Sequence, residues 1–234
     1  MLTKKKNFLL IFAILAFVVW AFPGNAYASE LSEIEEANEI LRTPENYSEY
    51  LKNYSVEDAL KAGVDPEYTE NASEDALEQL NEFQLLDYNQ QIEFLDSMKQ
   101  PFESSEEIIT EVPSVQQYQV RAASNSRTVS YTSTLSSLGI NWTTYKVTGT
   151  YTYNSTGALK AGSTNGIVVK NLNPLVITAK TSSYGSVANK KYIGVATFSY
   201  KIGPVKGLSV QIGTYNLKVT GGKSGLISGS AWKN

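Results

Sequence analysis

The chain has no cysteine and no histidine among its 234 residues. Without cysteine there is no disulfide framework and no thiol nucleophile. Without histidine, the Ser-His-Asp and Cys-His systems and histidine zinc sites drop out as well. A third absence is particular to this chain. All 23 acidic residues lie between Glu30 and Glu111, so the last 123 residues hold no carboxylate, although they hold 13 Lys and Arg. At ordinary usage such a stretch carries on the order of 15 acids. A carboxylate-pair glycosidase therefore cannot be built from the C-terminal half. Ser and Lys are plentiful, yet no S-x-x-K opens a helix, and the nearest approach, Lys223-Ser224, sits in a Gly-rich turn. Gly213–Gly222 matches neither phosphate-loop pattern. The expectation is a protein that is not an enzyme, with no catalytic residue, no metal ligand set and no cofactor.

One long apolar run is present. Phe8 to Phe22 is uninterrupted, preceded by Lys4, Lys5 and Lys6 and followed by Pro23-Gly24 and the small-x-small pattern Ala26-Tyr27-Ala28. At 15 residues the run is shorter than the roughly 20 needed to span a bilayer. Residues 1–28 read as an export signal cleaved after Ala28. The product is expected to be secreted, free or associated with the cell surface, and cysteine-free export suits a bacterial source.

Charge divides the exported chain in two. Residues 29–120 carry 23 acids against Arg42, Lys52, Lys61 and Lys99, a net −19, whereas residues 121–234 carry +13. Helix punctuation recurs through the acidic region, residues 29–103. Ser32-x-x-Glu35 is a capping-box pattern before a run that Pro44 stops; Ser55 with Asp58 opens a second helix ending at Gly63; Ser73 opens a third, drawn through to Met98 before Pro101. Acids crowd the first turns, where the helix dipole favours them. No D-x-[DN]-x-[DN]-G loop is present, and the carboxylates read as solvated helix faces. Residues 104–127, with Pro113 and a Gln/Ser-rich run, read as a linker.

From Thr128 the period changes to two. Tyr145, Val147, Tyr151 and Tyr153 share one face of a strand, and Lys146, Thr148, Thr150 and Thr152 the other. Later runs repeat the scheme between turn signals at Asn154–Gly157, Asn165-Gly166, Asn173-Pro174, Tyr184-Gly185, Gly203-Pro204 and Gly221-Gly222. The fold class is α+β by segments: an acidic helical region, then a basic all-β antiparallel sandwich or barrel over residues 128–234. Such patterning can close a core without the helices, so the β-domain is expected to fold alone and the acidic segment to be weakly stable. The tyrosine stripe suits either core packing or a surface of Tyr and Trp that stacks on sugars or sits at a lipid interface.

Function is read from the asymmetry, whose layout looks like that of secreted precursors in which an acidic prosegment accompanies a cationic domain. The cationic domain is expected to bind an anionic membrane or cell-wall polymer through Lys146, Lys170, Lys180, Lys190, Lys191, Lys201, Lys206, Lys218 and Lys223. It would act as an antimicrobial or toxin-like effector, masked by its own acidic segment until processing at Arg121 or Arg127. The alternatives are an intact structural or adhesive surface protein, and a secreted inhibitor or immunity-type protein with a protein partner. The lysines are dispersed and the protein is exported, which argues against nucleic acid.

Overall fold

The computed structural model describes residues 35–104, 106–110, 125–202 and 211–234; Ala28, Arg121 and Lys206 lie outside them. N-terminal helices precede two all-antiparallel sheets, a sandwich-like α+β layout. After helical residues 35–40 come α1 (Pro44–Asn53), α2 (Val56–Lys61), a 3₁₀ turn (Pro66–Asn71), α3 (Ala72–Leu85), α4 (Tyr88–Lys99) and α5 (Pro101–Ser104). Ser55 and Asp58 form the expected capping box at α2. Pro44, expected only as a stop, also starts α1, with the Thr43 hydroxyl accepting from the Asn46 amide. The helix drawn from Ser73 to Met98 is two helices. Asp87 and Gln90 cap each other reciprocally and restart the chain at α4, while the Ser73 hydroxyl, inside α3, donates to the Tyr54 carbonyl at 2.9 Å.

The strands form an up-and-down meander. Strands β1 (Glu106–Thr110), β2 (Asn125–Ser137), β3 (Ile140–Asn154) and β4 (Gly157–Asn171) make one sheet. The other contains β5 (Val176–Ala188), β6 (Lys191–Ile202), β7 (Gln211–Gly222) and β8 (Gly225–Lys233). Within the 104–127 stretch read as a linker, β1 pairs along β2 from Glu106↔Ser136 to Thr110↔Thr132. Asn165-Gly166 and Tyr184-Gly185, expected as turns, lie inside β4 and β5. Their glycines make room across the core: a Cβ on Gly166 would stand 2.4 Å from Ala196 Cβ, and one on Gly185 would stand 3.0 Å from the Tyr192 ring.

The tyrosine stripe is core. Tyr131, Tyr145, Tyr151 and Tyr192 are buried, as is Trp142. Tyrosine hydroxyls stitch the layers: Tyr151 donates to the Gly222 carbonyl at 2.7 Å, Tyr192 meets Thr164 Oγ1 at 2.6 Å, and Tyr215 meets Ser133 Oγ at 2.7 Å. A buried polar group left unpaired costs more than the bond contributes net, so these contacts fix which strands face each other.

Ala37–Asn234 form one compact unit, and the helices share its core. Phe94 packs edge-on to Trp142 at 5.4 Å between centroids, and Phe102 stacks on Tyr200 at 4.2 Å. Hydrogen bonds cross the same boundary. The Tyr47 hydroxyl donates to the Leu172 carbonyl (3.3 Å), the Tyr54 hydroxyl to the Asn171 carbonyl (2.7 Å), and Asn173 Nδ2 to the Met98 carbonyl (2.8 Å). At the C-terminus of α2, Val64 N–H returns to the Ala59 carbonyl and Gly63 N–H to the Leu60 carbonyl, a Schellman ending that requires the left-handed Gly63 (φ 89°). A Cβ there would lie 1.7 Å from the Thr178 carbonyl oxygen. The expectation that the sheets close their core alone therefore meets a sandwich one end of which is filled from the helices.

Burial raises the hydroxyl pKa of Tyr47, Tyr54, Tyr145, Tyr151 and Tyr192, desolvation being the leading cause in each. A raised folded-state pKa means the unfolded chain ionises first, so this stability is present below the unfolded value and is lost as pH rises. The expected result is cooperative alkaline unfolding above about pH 10, with tyrosinate absorbance rising together with the loss of circular dichroism. Ionisation of most tyrosines at full secondary structure would contradict this packing.

Candidate functional site

Strand direction sorts the charges. The helices close the end formed by the Leu138-Gly139 turn and the β4–β5 connection, where Leu172 and Asn173 accept and give the bonds just described. The other end carries the β3–β4, β5–β6 and β7–β8 turns and the start of β2. There Arg127, Lys160, Lys190, Lys191 and Lys223 gather. Arg127 Nη1 donates to the Lys223 carbonyl, Arg127 Nη2 to the Tyr153 hydroxyl at 3.0 Å, and its guanidinium lies 4.3 Å from the Tyr153 ring centroid. The Lys190 carbonyl accepts from the Ala158 amide at 2.9 Å, joining the β5–β6 turn to the start of β4. Lys160 pairs with Thr152 two residues before the β3–β4 turn. Lys160, Lys190, Lys191 and Lys223 are exposed.

No described carboxylate is at this end. The acids sit on the helices or on β1, whose pairing puts Glu106 and Glu107 beside Ser136 and Leu135 near the helical end. Arg42–Glu39, Lys52–Glu49, Lys61–Glu57 and Lys99–Asp96 pair within single helical segments. The cations of the acidic region thus answer to its own acids.

Of the nine lysines expected at the surface, the fold brings Lys190, Lys191 and Lys223 together. Lys146 lies on the outward face of the first sheet beside Thr132 and Ile167. Lys201 and Lys218 lie on that of the second. Lys180 donates to Asn165 Oδ1 at 2.7 Å. Lys170 lines a small pocket with Tyr54, Tyr68 and Asp75; desolvation raises the Asp75 pKa and Lys170 opposes it. Lys160 and Arg127 were missed as members of the cationic end. The hairpin signal of Asn154-Ser-Thr-Gly157 could have placed Lys160 there. Arg127, expected as a processing site, is half-buried and paired with Tyr151 in the β2–β3 ladder, so a protease must strip β2 to reach it.

The β5–β6 turn has a further oddity. Asn189 (φ 49°) and Lys190 (φ 62°) are both left-handed, as a two-residue primed turn demands. The second place ordinarily goes to glycine, and here a lysine occupies it. Among the described residues no group of three or more Asp or Glu converges to hold a metal ion. No family model, curated protein or solved structure matches the chain. Left-handed backbone costs a non-glycine residue about 1–2 kcal/mol, so Lys190→Gly should stabilise the fold by roughly 1 kcal/mol. A urea midpoint that stays put or falls would show that the turn is unstrained or that its lysine is needed for folding.

Proposed function

We propose that this is a secreted, non-enzymatic protein whose cationic β-domain binds an anionic surface, with the end bearing Arg127, Lys160, Lys190, Lys191 and Lys223 as the contact. The single observation that carries the reading is the segregation of charge along one folded unit. Acids cap one end, cations crowd the other, and no described carboxylate stands beside them. Such a molecule is steered cations-first toward an anionic surface. The left-handed Lys190 supports the reading, because backbone strain tolerated at an exposed turn points to use of the side chain.

Masking takes a different form from a prosegment laid over the lysines. The helices sit at the far end and give the core Tyr47, Phe83, Phe94 and Met98, so their removal would bare Trp142 and Leu172. The shared core favours an intact adhesive or surface-binding protein over a precursor that sheds its acidic segment.

The test uses the chain starting at Ser29. Binding to phosphatidylglycerol vesicles or to a wall polyanion should weaken with salt, exposed charges being screened over about 10 Å at 0.1 M. Reversing Lys190, Lys191 and Lys223 to Glu should lower affinity at least tenfold, since each surface lysine contributes about 1 kcal/mol against an anionic surface. Reversing Lys146, Lys180 and Lys201, three lysines on the sheet strands and the same change in net charge, should lower it less than threefold. Equal losses from the two would assign binding to net charge and remove the site.

A further inference from the structure

While most large rings of the β-domain are interior, two stand outward on one face. Across β5, β6, β7 and β8, Tyr184, Val195, Lys218 and Ser230 lie side by side, and Ser182, Thr197, Asn216 and Trp232 form the adjacent row. The Phe198–Tyr215 row faces the core, which turns Tyr184 and Trp232 the other way. Their exposures are 59% and 39%. They occupy opposite edges of the four-stranded sheet, about 14 Å apart at three strand spacings.

Between the rings the floor is polar and ordered apart from buried Val195, and the exposed Ile177 and Ile212 lie beside Lys201 farther along the same face. Thr197 Oγ1 donates to Asn216 Oδ1 at 2.9 Å, and Asn216 Nδ2 reaches the Trp232 carbonyl at 3.5 Å. Hydroxyls of Ser182 and Ser230 flank these groups in register. Lys218 lies near the centre of the face, and the strands of this sheet contain no acid to repel an anion. Rings that are apolar in body but tolerate water at the rim suit stacking on the C–H faces of sugars. A Ser/Thr/Asn floor suits sugar hydroxyls; pressed into a lipid interior the same groups would lose water without replacement.

We propose that the outward face of β5–β8 is a platform for an acidic polysaccharide, with Tyr184 and Trp232 stacking on separate sugar rings and Lys218 meeting an acid group between them. The proposal names the polymer for the anionic-surface reading and rests on it, but uses different residues from the cationic end.

A chain beginning at Ser29 retains two tryptophans, buried Trp142 and exposed Trp232, so a blue shift in emission on binding reports Trp232. The probes are alginate, which has acid groups and rings; polyphosphate, which has charge without rings; dextran, which has rings without charge; and phosphatidylglycerol vesicles. Alginate should shift the emission and bind at least tenfold tighter per charge than polyphosphate, with dextran far weaker. Tyr184→Ala and Trp232→Ala, each checked for unchanged circular dichroism and titrated by calorimetry, should weaken alginate binding about fivefold and leave polyphosphate binding alone. Equal affinity for alginate and polyphosphate, unmoved by either substitution, overturns the platform and leaves the anionic-surface reading standing. Failure to bind any anion sinks that reading and the platform with it. A shift with vesicles but not with alginate assigns the face to lipid and overturns the sugar proposal, as would dextran binding as tightly as alginate.

Discussion

The architecture depends on one fully buried asparagine. Asn171, at the end of β4, accepts from Thr143 Oγ1 (2.8 Å) and the Asn173 amide (3.3 Å) through its side-chain oxygen. Its nitrogen donates to the Ala62 carbonyl at the end of α2 (3.0 Å) and to the Val176 carbonyl that opens β5 (2.7 Å). Its own carbonyl accepts the Tyr54 hydroxyl. Every polar atom of the amide side chain is used, which is the condition for burying it at a gain in order instead of a cost. One residue thereby joins β3, the turn into the second sheet, the C-terminus of a helix, and a helical tyrosine. A leucine of similar volume would keep the main-chain bond to Tyr54 but none of the side-chain bonds, leaving the Ala62 carbonyl with the Thr178 amide alone (3.3 Å) and the Val176 carbonyl without the asparagine nitrogen.

That junction also sets the charge layout. With α2 tied to the β4–β5 connection, the helices can only lie at that end of the sandwich, and their acids lie there too. The meander then carries three of its turns to the opposite end, with Lys190, Lys191 and Lys223 on two of them. What reads in sequence as an acidic half and a basic half becomes in space a molecule with two poles. The interface between halves is held by rings and hydrogen bonds: Phe94 on Trp142, Phe102 on Tyr200, Asn173 on Met98. Buried aromatics of this kind contribute whatever the salt concentration. This separates holding the helices in place from presenting the lysines, two tasks that electrostatic masking would have confounded.

How far the residues announced this differs from place to place. The Ser55–Asp58 box, the left-handed Gly63 and the alternation from Tyr145 to Tyr153 were readable because each is a local pattern with a local cause. Pro44 was read as a stop and not also as a start, and the Asp87–Gln90 box was overrun by a hydrophobic stripe that continues in phase past it. Asn165-Gly166 looked like a turn because glycine after asparagine so often is one. It is a strand interior because Ala196 and Phe198, thirty residues on, need the space. The functional residues were legible as types but not as a place. The sequence reading names nine of the eleven lysines in residues 121–234, whereas membership of the cationic end depends on which turn each flanks, and so brings in Lys160 and Arg127 while leaving Lys146 and Lys218 on sheet faces. Which tyrosines were exposed was not legible at all, since the alternation is the same for a core stripe and a surface one.

The central claim is that helices and sheets are one cooperative unit closed at Asn171. It is tested most directly by urea unfolding of the Ser29-start chain, with hydrogen exchange of the β6 and β7 amides following the sheets while far-ultraviolet dichroism follows the helices. The account predicts a single transition, with both signals sharing one midpoint and Asn171→Leu lowering the two together. Helical signal lost at clearly lower urea, with the β6 and β7 amides still protected, would contradict it and return the acidic segment to the status of a detachable appendage.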